Sequence, residues 1–299
     1  MKLFKYTAAA ALGAAAAFLF VYFALANLLV EAVLHIGGGE PAVAAMAEDG
    51  EERLYITAGD GVRLTASCRR QQSGKWALIM HGYTSGKENM RSYAQKYYEQ
   101  GYSVLVPDQR AHGESGGEYC GMGWPERLDV IKWAERITEE EPGAEIVLHG
   151  VSMGAASVLM AAGEGLPENV AAVVSDCAFT DVASIMRYQL SEKVVDSAAL
   201  LSFGGSAVTK LRLGHTWGEA SALAMAARSG IPILFIHGGA DDFVPVQMAH
   251  ELCAAAPEPK ELVIIPGAEH AQAAYKDTEK YWTAVFDFIA KHSSMHKNG

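Results

Sequence analysis

The stretch Ile146-Val147-Leu148-His149-Gly150-Val151-Ser152-Met153-Gly154 decides the fold of this chain. Three apolar β-formers lead into the pentapeptide Gly-x-Ser-x-Gly, and small helix-compatible residues follow from Ala155 to Ala162. This pattern predicts a strand, a sharp turn and a helix. Glycine is needed on both sides of the serine, because the strand and the helix pass close to the turn and larger side chains would collide there. The flanking strand and helix argue against a chance occurrence of the pentapeptide in a loop.

Continuous apolar runs on both sides of this stretch predict further buried strands, separated by segments with helical periodicity. The predicted strands are Trp76–Met80, Gly101–Pro107, Ile146–Leu148, Val170–Ser175, Ile231–His237 and Glu261–Pro266. Helices are predicted up to Gln100, over Pro125–Glu141 and over Tyr275–Lys291. Strands that alternate with helices indicate a parallel sheet covered on both faces, which binds ligands at the carboxyl ends of its strands.

Two segments of alternating polarity, Arg53–Ala58 and Val62–Arg69, flank Gly59-Asp60-Gly61 and predict a hairpin. Antiparallel strands of this kind often form the edge of an otherwise parallel sheet. The predicted fold is therefore α/β, with a mostly parallel sheet of eight strands and helices on both faces.

Residues 179–229 carry no clear strand pattern and predict a small helical cap over the carboxyl edge of the sheet. The apolar side chains of this insertion either line an acyl pocket or form the cap's own core, and the second role is expected for most of them. They are Met186, Tyr188, Leu190, Leu200, Leu201, Phe203, Leu211 and Trp217.

The N-terminal segment is long and apolar enough to cross a membrane. Lys2 and Lys5 precede a run from Thr7 to about Leu34 that only Asn27 and Glu31 interrupt. Its apolar core exceeds the roughly 20 residues that a helix needs to span a bilayer. Lysines before the run and acidic residues after it predict a cytoplasmic N-terminus and an extracytoplasmic bulk.

Residues 1–36 are accordingly predicted to form a signal anchor of a single-pass membrane protein, followed by a Gly/Ala/acid-rich linker over residues 37–52. The remaining residues 53–299 form the predicted main domain. The alternative is a secreted protein with a cleaved signal peptide, since small-x-small sites occur at Ala24-Leu25-Ala26 and Ala45-Met46-Ala47.

The net charge and the spacing of the cysteines argue against some classes of function. The chain has 299 residues, half of them hydrophobic, and a formal net charge of −11. This charge argues against non-specific binding to nucleic acid. The four cysteines are widely spaced and form no C-x-x-C pair, which argues against a zinc site and favours free, mostly buried thiols; they are Cys68, Cys120, Cys177 and Cys253.

A serine on such a turn needs a base, an acid that orients the base, and hydrogen-bond donors for an oxyanion. His270 follows the last predicted strand and is the candidate base, while Asp241 follows the preceding strand and is the candidate acid. Asp242 and Asp176 are the rival acids.

The other strand-end histidines are expected to be structural groups bonded to nearby loops; they are His81, His149 and His237. The predicted oxyanion donors are the backbone N–H groups of Met153, at the start of a helix, and Tyr83, in the loop after the first buried strand. Gly82 lets that loop approach the serine closely.

Five motifs occur in a fixed order along the chain, and their set resembles the α/β-hydrolase superfamily. They are His81-Gly82-Tyr83, Asp108-x-Arg110-x-His112-Gly113-x-Ser115, Gly150-x-Ser152-x-Gly154, Gly238-x-x-Asp241-x-x-Val244-Pro245 and Gly267-x-x-His270. The chain is most similar to bacterial serine hydrolases of the acyl-peptidase, cinnamoyl-esterase and lysophospholipase-like branch, over about residues 54–292. Tyr83 and Ser85 stand where lipase-like members carry a Gly-rich HGGG motif, which argues against that branch.

This resemblance implies a catalytic triad of Ser152, Asp241 and His270, with Tyr83 and Met153 as oxyanion donors, and no metal or organic cofactor. The expected activity is hydrolysis of a carboxylic ester of a small-molecule, lipid or peptide substrate. The alternatives are a peptidase or amidase on the same fold and a non-catalytic membrane-tethered binding module. A haloalkane dehalogenase or epoxide hydrolase would need an aspartate in place of Ser152.

Overall fold

A computed structural model describes residues 2–36, 50–193 and 198–293. Most of the predicted linker, residues 37–49, lies outside the described residues. The linker was predicted to end at residue 52, but the first strand already begins at Glu51.

Eight strands form one sheet in the order β1-β2-β4-β3-β5-β6-β7-β8. β1 and β2 are an antiparallel hairpin, β2 also runs antiparallel to β4, and the remaining neighbours are parallel. This confirms the predicted fold class and edge hairpin. The strands are β1 Glu51–Thr57, β2 Arg63–Arg69, β3 Lys75–Met80, β4 Ser103–Pro107, β5 Glu145–Val151, β6 Val170–Asp176, β7 Ile233–Gly238 and β8 Lys260–Ile265.

Helices cover both faces of the sheet and enclose two hydrophobic cores. The closing helix differs from the prediction: it is divided at Asp277, whose carboxylate accepts the Lys280 N–H and caps the second part. The helices are α1 Lys2–Leu34, α2 Arg91–Glu99, α3 Glu126–Glu140, α4 Met153–Ala162, α5 Val182–Lys193, α6 Ala198–Leu213, α7 Ala222–Ala226, α8 Val246–Ala255, α9 Ala273–Lys276 and α10 Thr278–His292.

The central strands are apolar along their whole length because helices bury both of their faces. All seven residues of β5 and all six of β7 are buried. Their carboxyl ends, together with the ends of β3 and β8, meet at one edge of the sheet. This edge is where the sequence predicts the functional side chains.

The insertion between β6 and β7 contains the helices α5, α6 and α7, as predicted for a helical cap. Trp217 is buried at 1% exposure and its indole N–H donates to Thr209 Oγ1 at 2.8 Å. Trp217 thus belongs to the cap's own core, whereas Phe203 and Leu211 are exposed.

Helix α1 includes one segment, Leu12–Leu34, that is long and apolar enough to cross a membrane. The sequence predicts that this segment is separate from the main domain. In the structure, however, the second half of α1 packs on the cap. Ala26, Val30 and Leu34 are buried in the same core as α4. At the end of α1, the Leu34 carbonyl accepts the Cys120 N–H at 2.9 Å.

Candidate active site

Ser152 lies at the turn between β5 and α4 with φ 55° and ψ −117°. This positive φ is uncommon for a residue with a side chain and indicates local strain. A Cβ at Gly150 would lie 2.2 Å from the Gly154 carbonyl oxygen, and a Cβ at Gly154 would lie 2.2 Å from the Met80 carbonyl oxygen. Backbone atoms cannot yield in such contacts, so both positions require glycine. The Ser152 N–H donates to the Asp176 carbonyl at 2.8 Å, which ties the turn to β6.

Ser152, His270 and Asp241 form a continuous hydrogen-bonded chain. Ser152 Oγ lies 2.9 Å from His270 Nε2, and His270 Nδ1 lies 2.8 Å from Asp241 Oδ2. Each residue comes from a different loop at the carboxyl edge of the sheet. The arrangement has the geometry of a nucleophile, a base and an orienting acid.

Backbone groups and a second histidine hold the Asp241 carboxylate. Its Oδ1 accepts the N–H groups of Phe243 at 3.0 Å and Val244 at 2.8 Å, while His237 Nε2 lies 3.2 Å from Oδ2. Burial by itself would raise the pKa of Asp241, but the hydrogen bonds from His237, His270 and Val244 lower it well below its usual range. The carboxylate therefore stays ionised at neutral pH.

The two rival acids take other positions. The Asp242 carbonyl oxygen is 3.3 Å from the Tyr188 hydroxyl of the cap. Asp176 is fully buried, and the Tyr281 hydroxyl donates to its Oδ2 at 2.9 Å. Burial raises the pKa of Asp176 to about 6, against the lowering effect of the Tyr281 hydrogen bond.

The strand-end histidines predicted to be structural are all fully buried. His149 lies between the hydroxyls of Tyr97 at 2.9 Å and Tyr281 at 3.0 Å, and burial lowers its pKa to about 3. His237 Nε2 lies 2.8 Å from the Val244 carbonyl in the loop that carries Asp241. Its contact with the Asp241 carboxylate is a role that the sequence reasoning missed.

The loop after β3 passes directly beside the serine. A Cβ at Gly82 would be 3.4 Å from the Ser152 Cβ, so the next residue, Tyr83, follows the point of closest approach. Met153 is the first residue of α4. The two backbone N–H groups predicted as oxyanion donors thus belong to segments on either side of Ser152.

Two side chains that the sequence reasoning left unassigned fix this loop. The Thr84 N–H donates to His112 Nε2 at 3.1 Å, and the Gln109 side-chain amide donates to the His81 carbonyl. Gln109 also accepts from Ser157 Oγ of α4 at 3.0 Å. The motif Asp108-x-Arg110-x-His112 marks this region as part of the family pattern. Its spacing does not show which loop the side chains contact.

A cavity of about 260 Å³ opens at Ser152 and His270. Its other walls are largely aromatic and apolar, contributed by the loop after β3, by α2 and by α9. The lining residues include Tyr83, Met90, Tyr93, Val151 and Tyr275. This volume is suited to a small molecule or to one end of a larger one.

Among the described residues, one group has donor atoms close enough to share a metal ion: Cys177, Asp241 and His270, within 4.8 Å of one another. Two of these three already share a hydrogen bond, and burial keeps the pKa of the Cys177 thiol well above its ordinary value. Asp241 and His270 of this group therefore already belong to the hydrogen-bonded chain with Ser152. The four cysteines are free, and all except Cys253 are buried.

Comparisons with known proteins agree with this architecture. A family model described as alpha/beta hydrolase fold matches residues 76–204. The uncharacterized protein YqkD of Bacillus subtilis is 31% identical over 214 residues, which are 71% of this chain and 70% of that protein. The uncharacterized protein YfhR of Escherichia coli K12 is 28% identical over 246 residues, 80% of each chain.

Among solved structures, the Pyrococcus furiosus esterase Pf2001 superposes with a TM-score of 0.68 at 22% identity, covering 85% of this chain and 99% of that one. A puromycin-hydrolyzing peptidase of Mycobacterium tuberculosis superposes with a TM-score of 0.64 at 17% identity, covering 85% of this chain and 40% of that one. At these identities the likeness concerns the fold.

Proposed function

This chain belongs to the α/β-hydrolase superfamily, and on that premise we propose that it is a serine hydrolase that cleaves a carboxylic ester. The observation that carries the proposal is the hydrogen-bonded chain from Ser152 through His270 to the ionised Asp241. A binding module has no need of a strained serine joined to an oriented histidine.

In the proposed first step, Ser152 Oγ attacks the ester carbonyl carbon while His270 Nε2 takes the hydroxyl proton. Asp241 keeps the proton on His270 Nδ1, so that Nε2 is free to accept, and it stabilises the imidazolium that forms. The oxyanion is held by the backbone N–H groups of Met153 and Tyr83. His270 then returns the proton to the leaving alkoxide, which departs as the alcohol.

In the proposed second step, water attacks the acyl-enzyme with His270 as the base. The carbonyl–Oγ bond breaks, the carboxylic acid is released and Ser152 regains its proton from His270. Every step uses side chains and backbone groups of this chain.

We propose the division of the chain that the sequence suggests, with the start of the domain moved to β1: a membrane anchor over residues 1–36 and a hydrolase domain over residues 51–299 with its cap at about 179–229. The lysines before the anchor support an extracytoplasmic position for the domain. The Leu12–Leu34 segment supports the anchor by its length and apolar composition.

The test is hydrolysis of short to medium-chain p-nitrophenyl esters by the detergent-solubilised full chain. Ser152→Ala should lower kcat/KM by at least about 10³-fold, since the nucleophile is lost while the fold is kept. A fluorophosphonate should label the wild type at Ser152 and leave the variant unlabelled. Esterase activity that persists in Ser152→Ala would overturn the proposal.

Turnover of aminoacyl anilides with no turnover of esters would instead show a peptidase. Ser157→Ala is the matched control, because Ser157 is a buried serine on α4 whose hydroxyl contacts Met153 and Gln109 and does not contact His270. Its activity should stay within about tenfold of the wild type.

A further inference from the structure

Helices α1 and α6 lie side by side and run in the same direction. The Tyr22 hydroxyl donates to the Leu200 carbonyl at 2.7 Å, near the start of α6. Arg212, near the end of α6, donates to Asn27 Oδ1 at 2.8 Å. A Cβ at Gly204 would lie 2.8 Å from the Tyr22 hydroxyl and 2.9 Å from the Ala26 Cβ, so glycine permits this close approach.

The apolar parts of α1 and α6 lie side by side, and the charged residues that follow them lie near each other. Residues 199–208 of α6 carry no charged side chain and lie beside the apolar part of α1, whereas Arg212 forms an ion pair with Glu31 and a hydrogen bond to Tyr119 at 2.6 Å. Glu31 is the first charged residue after Lys5. When α1 crosses a bilayer, this polar group marks where the chain leaves the hydrocarbon.

An apolar face of α6 remains uncovered next to α1. Leu200, Phe203 and Leu211 are 48%, 69% and 82% exposed and lie on one side of the helix. Single exposed apolar residues are ordinary, but three on one helix face form a surface that water solvates poorly. Because this face continues the exposed apolar surface of α1, the bilayer is its natural occupant.

Charged residues limit how deeply α6 enters the membrane. Lys210 and Arg212 lie in its last turn, near the level of Glu31, and are costly to place in hydrocarbon. We therefore place the apolar residues at the start of α6 against the outer part of the acyl chains, and the charged groups in its last turn among the headgroups.

The catalytic cavity lies close to the same level. Tyr83 lines the cavity together with Ser152, and its hydroxyl donates to the Val33 carbonyl at 2.5 Å, in the last turn of α1. The Tyr83 side chain thus reaches from the cavity wall to the last turn of α1. In glycerolipids the ester groups lie between the headgroups and the hydrocarbon, at the depth where α1 emerges.

From this placement we propose that the substrate is an acyl lipid of the membrane that α1 spans, and that α6 is the surface that seats the cavity on that membrane. This inference rests on the proposed ester hydrolysis and adds the substrate class. The aromatic and methionine walls of the cavity suit an acyl chain that enters end-on.

The test compares two esters on the full chain reconstituted in dioleoylphosphatidylcholine vesicles. p-Nitrophenyl palmitate partitions into the bilayer, and p-nitrophenyl acetate remains in water. Leu200→Glu and Phe203→Glu each place a charge on the membrane-facing side of α6. The ratio of palmitate to acetate hydrolysis should fall by about tenfold or more in both variants, because the cap loses its apolar contact.

Leu128→Glu is the matched control, since Leu128 is 52% exposed on α3, a helix that packs mainly on α4. The ratio of palmitate to acetate hydrolysis in Leu128→Glu should stay within about twofold of the wild type. Acetate hydrolysis should be unchanged in all three variants. Equal ratios in all four proteins would overturn the lipid inference and leave the esterase proposal standing. Failure of the wild type to hydrolyse either ester would overturn the proposed function, and the lipid inference with it.

Discussion

At the scale of single residues, the site combines a strained serine with a firmly held carboxylate. A positive φ at a non-glycine residue costs on the order of 1–3 kcal/mol, and the surroundings must hold it in place. The Ser152 N–H is bonded to β6, and the glycines on both sides of Ser152 leave no room for a side chain. On the other side of the site, Asp241 is held by two backbone N–H groups and two histidines.

The identity of the catalytic acid can be tested by two asparagine variants. Asp241→Asn should lower kcat by roughly 10³–10⁴-fold, because the amide no longer favours the tautomer of His270 that accepts from Ser152. Asp176→Asn should retain activity within about tenfold, since the Asp176 carboxylate is bonded to Tyr281. The measurement is steady-state hydrolysis of p-nitrophenyl acetate. A larger loss in Asp176→Asn than in Asp241→Asn would reverse the assignment.

Asp176 also predicts a pH dependence of stability. Burial raises its pKa from 3.8 to about 6 in the folded protein. Between these pH values the folded state binds a proton that the unfolded state has released, so the free energy of unfolding falls as the pH rises. Below about pH 3.8 this contribution is fully present, and above about pH 6 it is lost.

Asparagine cannot ionise, so Asp176→Asn removes this dependence. Relative to wild type, the variant should gain about 1–3 kcal/mol between pH 4 and pH 6 and no more above that range. Urea denaturation of both proteins in the same detergent at pH 4, 5, 6 and 7 measures the difference. A difference that does not change with pH would show that Asp176 keeps its ordinary pKa.

At the scale of helices and strands, the sequence predicted the sheet well and the docking of α1 poorly. Continuous apolar runs such as β5 and β7 identify central strands because both faces of such strands are buried. Helix α1 carries apolar side chains all round, so no periodicity marks the face that packs on α6. The hydrogen-bonded residues Tyr22 of α1 and Leu200 of α6 are also 178 positions apart, so no local pattern links them.

The contact between α1 and α6 can be tested at Gly204. Gly204→Leu places a side chain where Tyr22 and Ala26 already lie, so the two helices must separate. Gly13→Leu adds the same side chain to α1 at a position with no neighbouring atom within 4 Å and serves as the control. We expect limited proteolysis in detergent to cleave between α1 and β1 several-fold faster in the Gly204 variant. Equal cleavage rates would contradict the docked arrangement.

At the scale of the whole molecule, the parallel sheet explains why the sequence could predict which residues of the candidate site lie together. Parallel strands bring their carboxyl ends to one edge, so Ser152, Asp241 and His270 meet although they lie far apart in sequence. The contacts of His112 and His237 were not predictable, because motif spacing does not specify which loop a side chain reaches. The same applies to the Tyr83 hydroxyl, whose partner is on α1.

From the packing of α1 we predict that the proposed anchor is not cleaved as a signal peptide. Cleavage after Ala26 would remove the helix up to that buried residue, and cleavage after Ala47 would also remove Val30 and Leu34 from the core. A C-terminally tagged chain should therefore remain in the membrane fraction after a high-salt wash, with the mass of the intact sequence. A tagged product shorter by about 26 or 47 residues would show that the N-terminal segment is a signal peptide.

The parallel docking of α1 and α6 has a consequence for biosynthesis. Tyr22 is translated long before Leu200, and at roughly 5–20 residues per second the interval is about 10–40 s. In the proposed membrane-anchored arrangement, the docking face of α1 contacts only lipid or the insertion machinery during that time. The cap therefore packs onto a helix that has already been synthesised, and the contact between α1 and α6 forms only after α6 has been translated.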